Sequence, residues 1–132
     1  MIVVDSSVWI DYFNGRETLE VAKLDSLLGS EPLAIGDIIL LEVLQGFRSD
    51  AAFAKAQQLM ASLTLFEMLG EQAAIAAANH FRTLRQQGIT IRKINDVIIA
   101  SFCITHNHSL LFADKDFLPF VDNFGLRKVT GE

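Results

Sequence analysis

The chain is almost without cysteine: Cys103 is the only one among 132 residues. An internal disulfide framework is therefore excluded, and a lone thiol fits a reducing, cytoplasmic setting. Proline is limited to Pro32 and Pro119, and no Pro-, Gly- or Ser-rich stretch reads as a linker. No apolar run reaches the roughly 18 residues that a membrane span requires. No basic segment followed by an apolar block and a small-residue cleavage site marks a signal peptide. Positive charge is also scarce, with 11 Lys and Arg against 16 Asp and Glu and a formal net charge of −5. Phosphate contacts need cations, so this balance argues against a nonspecific nucleic-acid binder. It leaves room for an enzyme that gathers its excess acids at one site.

Apolar side chains are plentiful, at 51% of the chain. That is too many for disorder and enough, at this length, for a single domain over residues 1–132 with a real core. The same excess also fits a self-association surface.

Met1–Val4 reads as a buried strand and Ser6–Phe13 as a short helix ended by Asn14-Gly15. The spacing of Leu19, Val21, Ala22, Leu24, Leu27 and Leu28 predicts a helix over 17–28, stopped by Gly29. Leu33–Gly36 is strand-like, and Asp37 is a good N-cap for a helix to about Phe47. A helix over 50–62, a strand over 63–68 and a long helix over 71–87 follow. Next come a helix over 95–106 with Asn95 as cap, a strand over 109–113, an irregular helix over 116–124 and an edge strand over 126–130. Strands alternating with helices predict an α/β domain, a mainly parallel sheet with helices on both faces. Ligands bind such sheets beyond the carboxyl ends of the strands.

Acids stand at those ends. Asp5 follows the first strand and Asp114 follows "SLLFA", with Asp116 two residues on. Asp96 is in the first turn of its helix, and Glu42 lies in "DIILLEVLQGF", apolar around most of its circumference. Such a helix is expected to be largely buried, where a carboxylate without a partner is costly. Each acid also has an ordinary explanation. Asp5 can cap a helix, Asp96 can serve a helix dipole, Glu42 can reach solvent through the polar gap beside Gln45, and Asp114-Lys115-Asp116 can be a solvated turn. Together they would repel unless some stayed protonated or a cation joined them. Mg²⁺ and Mn²⁺ take carboxylate and water oxygens along with substrate phosphate, so the set points to metal-assisted phosphodiester chemistry.

In order and spacing, "MIVVDSSVWIDYFNG", "LAIGDIILLEVLQGF" and "TIRKINDVIIASFCITHNHSLLFADKDF" resemble the motifs of PIN-domain proteins. The closer likeness is to VapC-type toxins of type II toxin–antitoxin pairs, over nearly the whole chain. The resemblance implies a three-layer α/β/α PIN-like domain and a Mg²⁺-dependent endoribonuclease, with Mn²⁺ able to substitute. Its substrate would be structured RNA (a tRNA or rRNA loop, or mRNA), and a cognate VapB-type antitoxin would inhibit it. A homodimer without membrane attachment is implied as well. Carried over by motif, the metal-site and catalytic acids are Asp5, Glu42 (directly or through water), Asp96 and Asp114, with Asp116 auxiliary. Family members often carry Thr or Ser just before the "DxDF" segment. Here Phe112 and Ala113 stand there, so Ser6 or Ser7 is expected to supply the site hydroxyl.

RNA-binding candidates are Arg92 and Lys93 beside Asp96, then Arg82 and Arg85 on the long helix; Arg48 and Lys115 are further cations. His106 and His108 lack the cysteine partners of a zinc site, and Cys103 reads as small core filler. Two other classes fit the same acids: a Mg²⁺-binding phosphoryl-accepting α/β domain, and a noncatalytic PIN-like binding module. Acids directly paired at the end of the first strand would favour the phosphoryl acceptor, but Ser6 and Ser7 follow Asp5.

Overall fold

The computed structural model describes residues 1–130. The chain alternates β1 (Ile2–Val4), α1 (Ser6–Phe13), α2 (Leu19–Leu27), β2 (Leu33–Gly36), α3 (Asp37–Leu44), α4 (Asp50–Met60) and β3 (Thr64–Phe66). It continues through α5 (Glu71–Gln86), α6 (Ile94–His106), β4 (Ser109–Leu111), a 3-10 turn (Lys115–Phe117), α7 (Leu118–Phe124) and β5 (Arg127–Lys128).

The five strands form one sheet in the order β3-β2-β1-β4-β5, and every neighbouring pair is parallel. From β1 the chain steps outward to β2 and β3, then crosses back to β4 and β5. Right-handed crossovers therefore place α1–α4 on one face and α5–α7 on the other. Between β1 and β4 the direction of winding reverses, which opens a crevice beyond their carboxyl ends.

The core is made by the sheet and its helices: Val3, Val4, Ile35, Leu110 and Leu111 from the strands meet Trp9, Leu24, Ile39, Leu84, Ile99 and Phe120, all buried. Cys103 is fully buried among them, and burial pushes its thiol up to about 12, which suits core filler. Trp9 stacks on Phe13 inside the protein rather than offering a face to solvent.

Three details differ from the expectations. Gly36, not Asp37, is the N-cap of α3; the Asp37 carboxylate instead accepts the N–H groups of Ile38 and Met68, tying β3's exit to α3. Lys93, not Asn95, caps α6. Helix α3 is not largely buried, since only Ile39 and Val43 are fully enclosed and Leu41 is 60% exposed. Its apolar circumference exceeds what its neighbours β2, α1, α4 and α6 cover, and Leu40 and Leu44 line a groove with Met60, Leu63 and Leu65.

Gly36 joins β2 to α3, and a Cβ there would overlap the fully buried Met68 side chain. Gly36→Ala is expected to lower stability by about 1–3 kcal/mol through overpacking. A thermal or urea melt equal to that of the native protein would show that Met68 repacks freely.

Candidate metal centre

Strand β1 ends where its last residue, Val4, pairs with Leu111, and the Asp5 N–H extends the ladder to the Leu111 carbonyl at 2.9 Å. Asp5 thus arrives level with the end of β4. It also caps α1, accepting from the backbone N–H of Ser7 at 3.0 Å and the Ser7 hydroxyl at 2.6 Å, both on Oδ2. Capping and site placement are one arrangement. The Ser7 hydroxyl in turn accepts the Ala113 N–H at 3.2 Å, so one serine fastens the β1 and β4 exits together. Ser6 donates to Glu42 Oε1 at 3.2 Å, which brings α3's acid toward α1. Both expected hydroxyls therefore lie on acids of the set.

Phe112 turns into the core. It is 3% exposed, packs on Phe117 at 5.1 Å between ring centroids, and carries the Lys128 ammonium over its ring. The β4 exit holds no side-chain hydroxyl; Ser7 supplies one from the first turn of α1.

Asp96, Asp114 and Asp116 form the tightest group, each offering a carboxylate oxygen within 4.8 Å of the others. Asp116 was expected as auxiliary, yet it stands inside this group. The cause is the 3-10 turn, which folds back so that Asp114 Oδ1 accepts the Asp116 N–H at 2.9 Å. Asp5 and Glu42 lie outside that tight triad but near enough for their charges to act on Asp96. The structure therefore brings Asp5, Glu42, Asp96, Asp114 and Asp116 to one edge.

Burial separates their roles. Asp5 and Asp96 are 2% and 4% exposed, and one oxygen of each, Asp5 Oδ1 and Asp96 Oδ2, is buried without a hydrogen-bond partner. Buried carboxylate oxygens in that state are costly. Burial raises the Asp5 pKa, against its hydrogen bonds from Ser7, and the Glu42 charge adds to the rise. Burial pushes Asp96 up to about 7, reinforced by the charges of Asp5 and Asp114. For Asp114, burial is outweighed by the Lys93 hydrogen bond and the Asp116 N–H, and its carboxyl falls below the ordinary value. Two deep, unpartnered oxygens among converging acids fit a hard divalent cation, whose ligands are carboxylates and waters.

Of the cations, Lys93 reaches the acids: its Nζ is 2.8 Å from Asp114 Oδ2. Arg92 is exposed, and its charge acts on Asp114. Arg82 and Arg85 are exposed on α5, with Arg85 lying over the Phe81 ring. Among the described residues neither forms an ion pair with the acids. His106 and His108 stack with Phe102 and Phe66 at the far end of α6.

Comparison with known proteins gives the family and the fold. A family model described as PIN domain matches residues 2–120. Ribonuclease VapC11 of Mycobacterium tuberculosis and VapC ribonuclease Mb1587 of Mycobacterium bovis are each 30% identical over 119 residues, covering 89% of this chain and 89% of theirs. Among solved structures, VapBC2 from Rickettsia felis bound to a promoter DNA fragment superposes with a TM-score of 0.78 at 20% identity, over 98% of both chains. VapBC-1 from nontypeable Haemophilus influenzae gives 0.75 at 20% identity, over 99% of this chain and 98% of that one. These two share the fold.

The raised Asp96 pKa has a definite consequence for stability. An unfolded aspartate titrates near 4, so between roughly pH 4 and about 7 the folded protein holds the Asp96 proton more tightly than the unfolded chain does. Metal-free stability should therefore fall as pH rises through that window. Asp5 contributes in the same sense and Asp114 in the opposite one. In chelator-treated protein, Asp96→Asn is expected to raise stability at pH 8 by on the order of 1–3 kcal/mol and to flatten the decline between pH 5.5 and 8. Melting curves in which the two proteins decline in parallel would contradict this origin.

Proposed function

The chain belongs to the PIN domain family, and from that premise we propose that it is an endoribonuclease toxin of the VapC kind, dependent on a divalent metal and held in check by a VapB-type antitoxin. The observation that carries the reading is the pair of buried, unpartnered oxygens on Asp5 and Asp96 within a five-acid edge. That arrangement is unfavourable for the protein alone and suited to a cation. The ribonuclease relatives supply the substrate class, and the VapB-bearing neighbours supply the partner.

Asp5, Asp96 and Asp114 would hold the ion, Mg²⁺ with Mn²⁺ able to replace it. Asp116 stands beside them, and Glu42 completes the set directly or through a water. When bound, such an ion polarises the scissile phosphate and acidifies a water. The chain's own residues do the rest. Ser7 fixes the plane of the Asp5 carboxylate through two hydrogen bonds to one oxygen, leaving the other free. Ser6 orients Glu42. Hydrolysis is attack of a water oxygen on phosphorus in line with the departing 3′ oxygen, leaving 5′-phosphate and 3′-hydroxyl ends.

RNA is held by cations around a net-acidic edge, with Arg92 and Lys93 nearest and Arg85 and Arg82 farther out on α5. Exposed single-stranded loops suit a shallow edge better than a duplex groove, which favours structured RNAs with accessible loops. No helix of the described residues is long and apolar enough to cross a membrane. We place the action in the cytoplasm, with the chain as a homodimer.

Asp5→Asn keeps the acceptor oxygen for Ser7 and removes the charge. It is expected to lower RNA cleavage at least 100-fold while leaving the circular dichroism spectrum native. Chelation should silence the native protein and added Mn²⁺ restore it. Cleavage by Asp5→Asn at the native rate in a metal-titrated assay would reject the assignment. Sequencing the RNA 5′ ends made on brief expression, beside that variant, identifies the substrate.

A further inference from the structure

The Asp114 carboxylate differs from the two deeper ones in having both oxygens engaged. Oδ1 accepts the Asp116 N–H, and Oδ2 accepts the Lys93 ammonium at 2.8 Å. Lys93 is anchored at its backbone: it is the N-cap of α6, and its carbonyl accepts the Asp96 N–H at 3.1 Å. Its side chain, 59% exposed, then crosses from α6 to the β4 exit. The ammonium therefore lies on one of the three carboxylates of the tight triad, and among the described residues it is the only side-chain cation hydrogen-bonded to any of the five acids.

We propose that Lys93 is an exchangeable counter-cation of the acid edge: it neutralises Asp114 while the centre is metal-free, gives way as a divalent ion enters, and then contacts a non-bridging oxygen of the RNA phosphate. This rests on the metal-dependent nuclease reading and adds a residue to it. Exposed ion pairs are individually weak, so displacement by a divalent ion is undemanding. A lysine's flexible four-carbon stem and compact charge suit a group that changes partner without moving its backbone. The two positive charges repel across a short distance with the acids between them. Lys93 thus weakens metal binding in the free protein and strengthens phosphate binding in the loaded one.

Those two effects have opposite signs, which separates this role from a merely structural one. Calorimetric titration with Mn²⁺ alone is expected to show Lys93→Met binding the ion three- to ten-fold more tightly than the native protein, with Lys93→Arg near native. At saturating Mn²⁺, Lys93→Met should cleave RNA at least ten-fold more slowly, and Lys93→Arg should recover most of the rate. Unchanged or weaker Mn²⁺ binding by Lys93→Met overturns the exchange. Native cleavage by that variant at saturating metal overturns the phosphate contact. If the native protein binds Mn²⁺ and cuts no RNA, the nuclease reading fails together with the phosphate contact, while the Mn²⁺ titration still decides the exchange.

Discussion

Like charge gathered at a partly dry edge is the constraint on which the rest of this molecule depends. Five carboxylates converge there, and two of them, Asp5 and Asp96, are nearly inaccessible to water. Nothing in folding favours such a meeting: desolvation and mutual repulsion both oppose ionisation. The polar contacts around the edge limit that cost without abolishing it. Ser7 satisfies one oxygen of Asp5, Lys93 and a backbone N–H satisfy Asp114, and Ser6 satisfies one oxygen of Glu42. What remains is one bare oxygen on each of the two deepest acids. The edge is most unfavourable where a cation would be most enclosed.

The fold makes this placement from distant parts of the sequence. Parallel strands send all their carboxyl ends to one side, and the reversal between β1 and β4 opens space there. Asp5 and Asp114 are delivered by adjacent strands, Asp96 by the first turn of α6, and Glu42 by the second turn of α3. The two strands have only three residues each, so their exits are held less by length than by stitching. The Asp5 N–H to Leu111 carbonyl bond and the Ala113 N–H to Ser7 hydroxyl bond join the two strand exits directly. Ser7 acts in three places at once: as part of the α1 cap, as the orienter of Asp5, and as the acceptor for β4.

Much of this was legible in the order of residues. An apolar run ending on a carboxylate, twice, gave the strands and their exits, and Asn14-Gly15 and Gly29 gave helix ends through positive φ at both glycines. The burial of α3 was not legible. Ile38, Ile39, Leu40, Leu41, Val43 and Leu44 read alike on a helical wheel, and only the packing of α3 against α1, α4, α6 and β2 determines that Ile39 and Val43 are enclosed while Leu41 is not. The caps at Gly36 and Lys93 were missed because Asp37 and Asn95 are the better capping residues by type, and tertiary contacts took Asp37 elsewhere, to Met68. Asp116's place in the tight triad depends on a single 3-10 turn, and Lys93's contact with Asp114 on a side chain crossing between elements; neither has a local sequence signal.

The formal charge of −5 looks at odds with the RNA-cleaving role proposed for the chain, and the acid edge resolves it. The five converging carboxylates equal that excess; the remaining Asp and Glu number eleven, the same as Lys plus Arg. With Lys93 paired to Asp114, ten cations face those eleven acids, so outside the edge the chain is close to electrical balance. The negative charge is thus concentrated at one site, and a divalent ion would neutralise much of it there. Phosphate would meet that neutralised edge with Arg92 and Lys93 at its rim, and long-range repulsion from net charge is screened within about 10 Å at moderate salt. Whole-chain charge, read as an average, describes neither the site nor the surface around it.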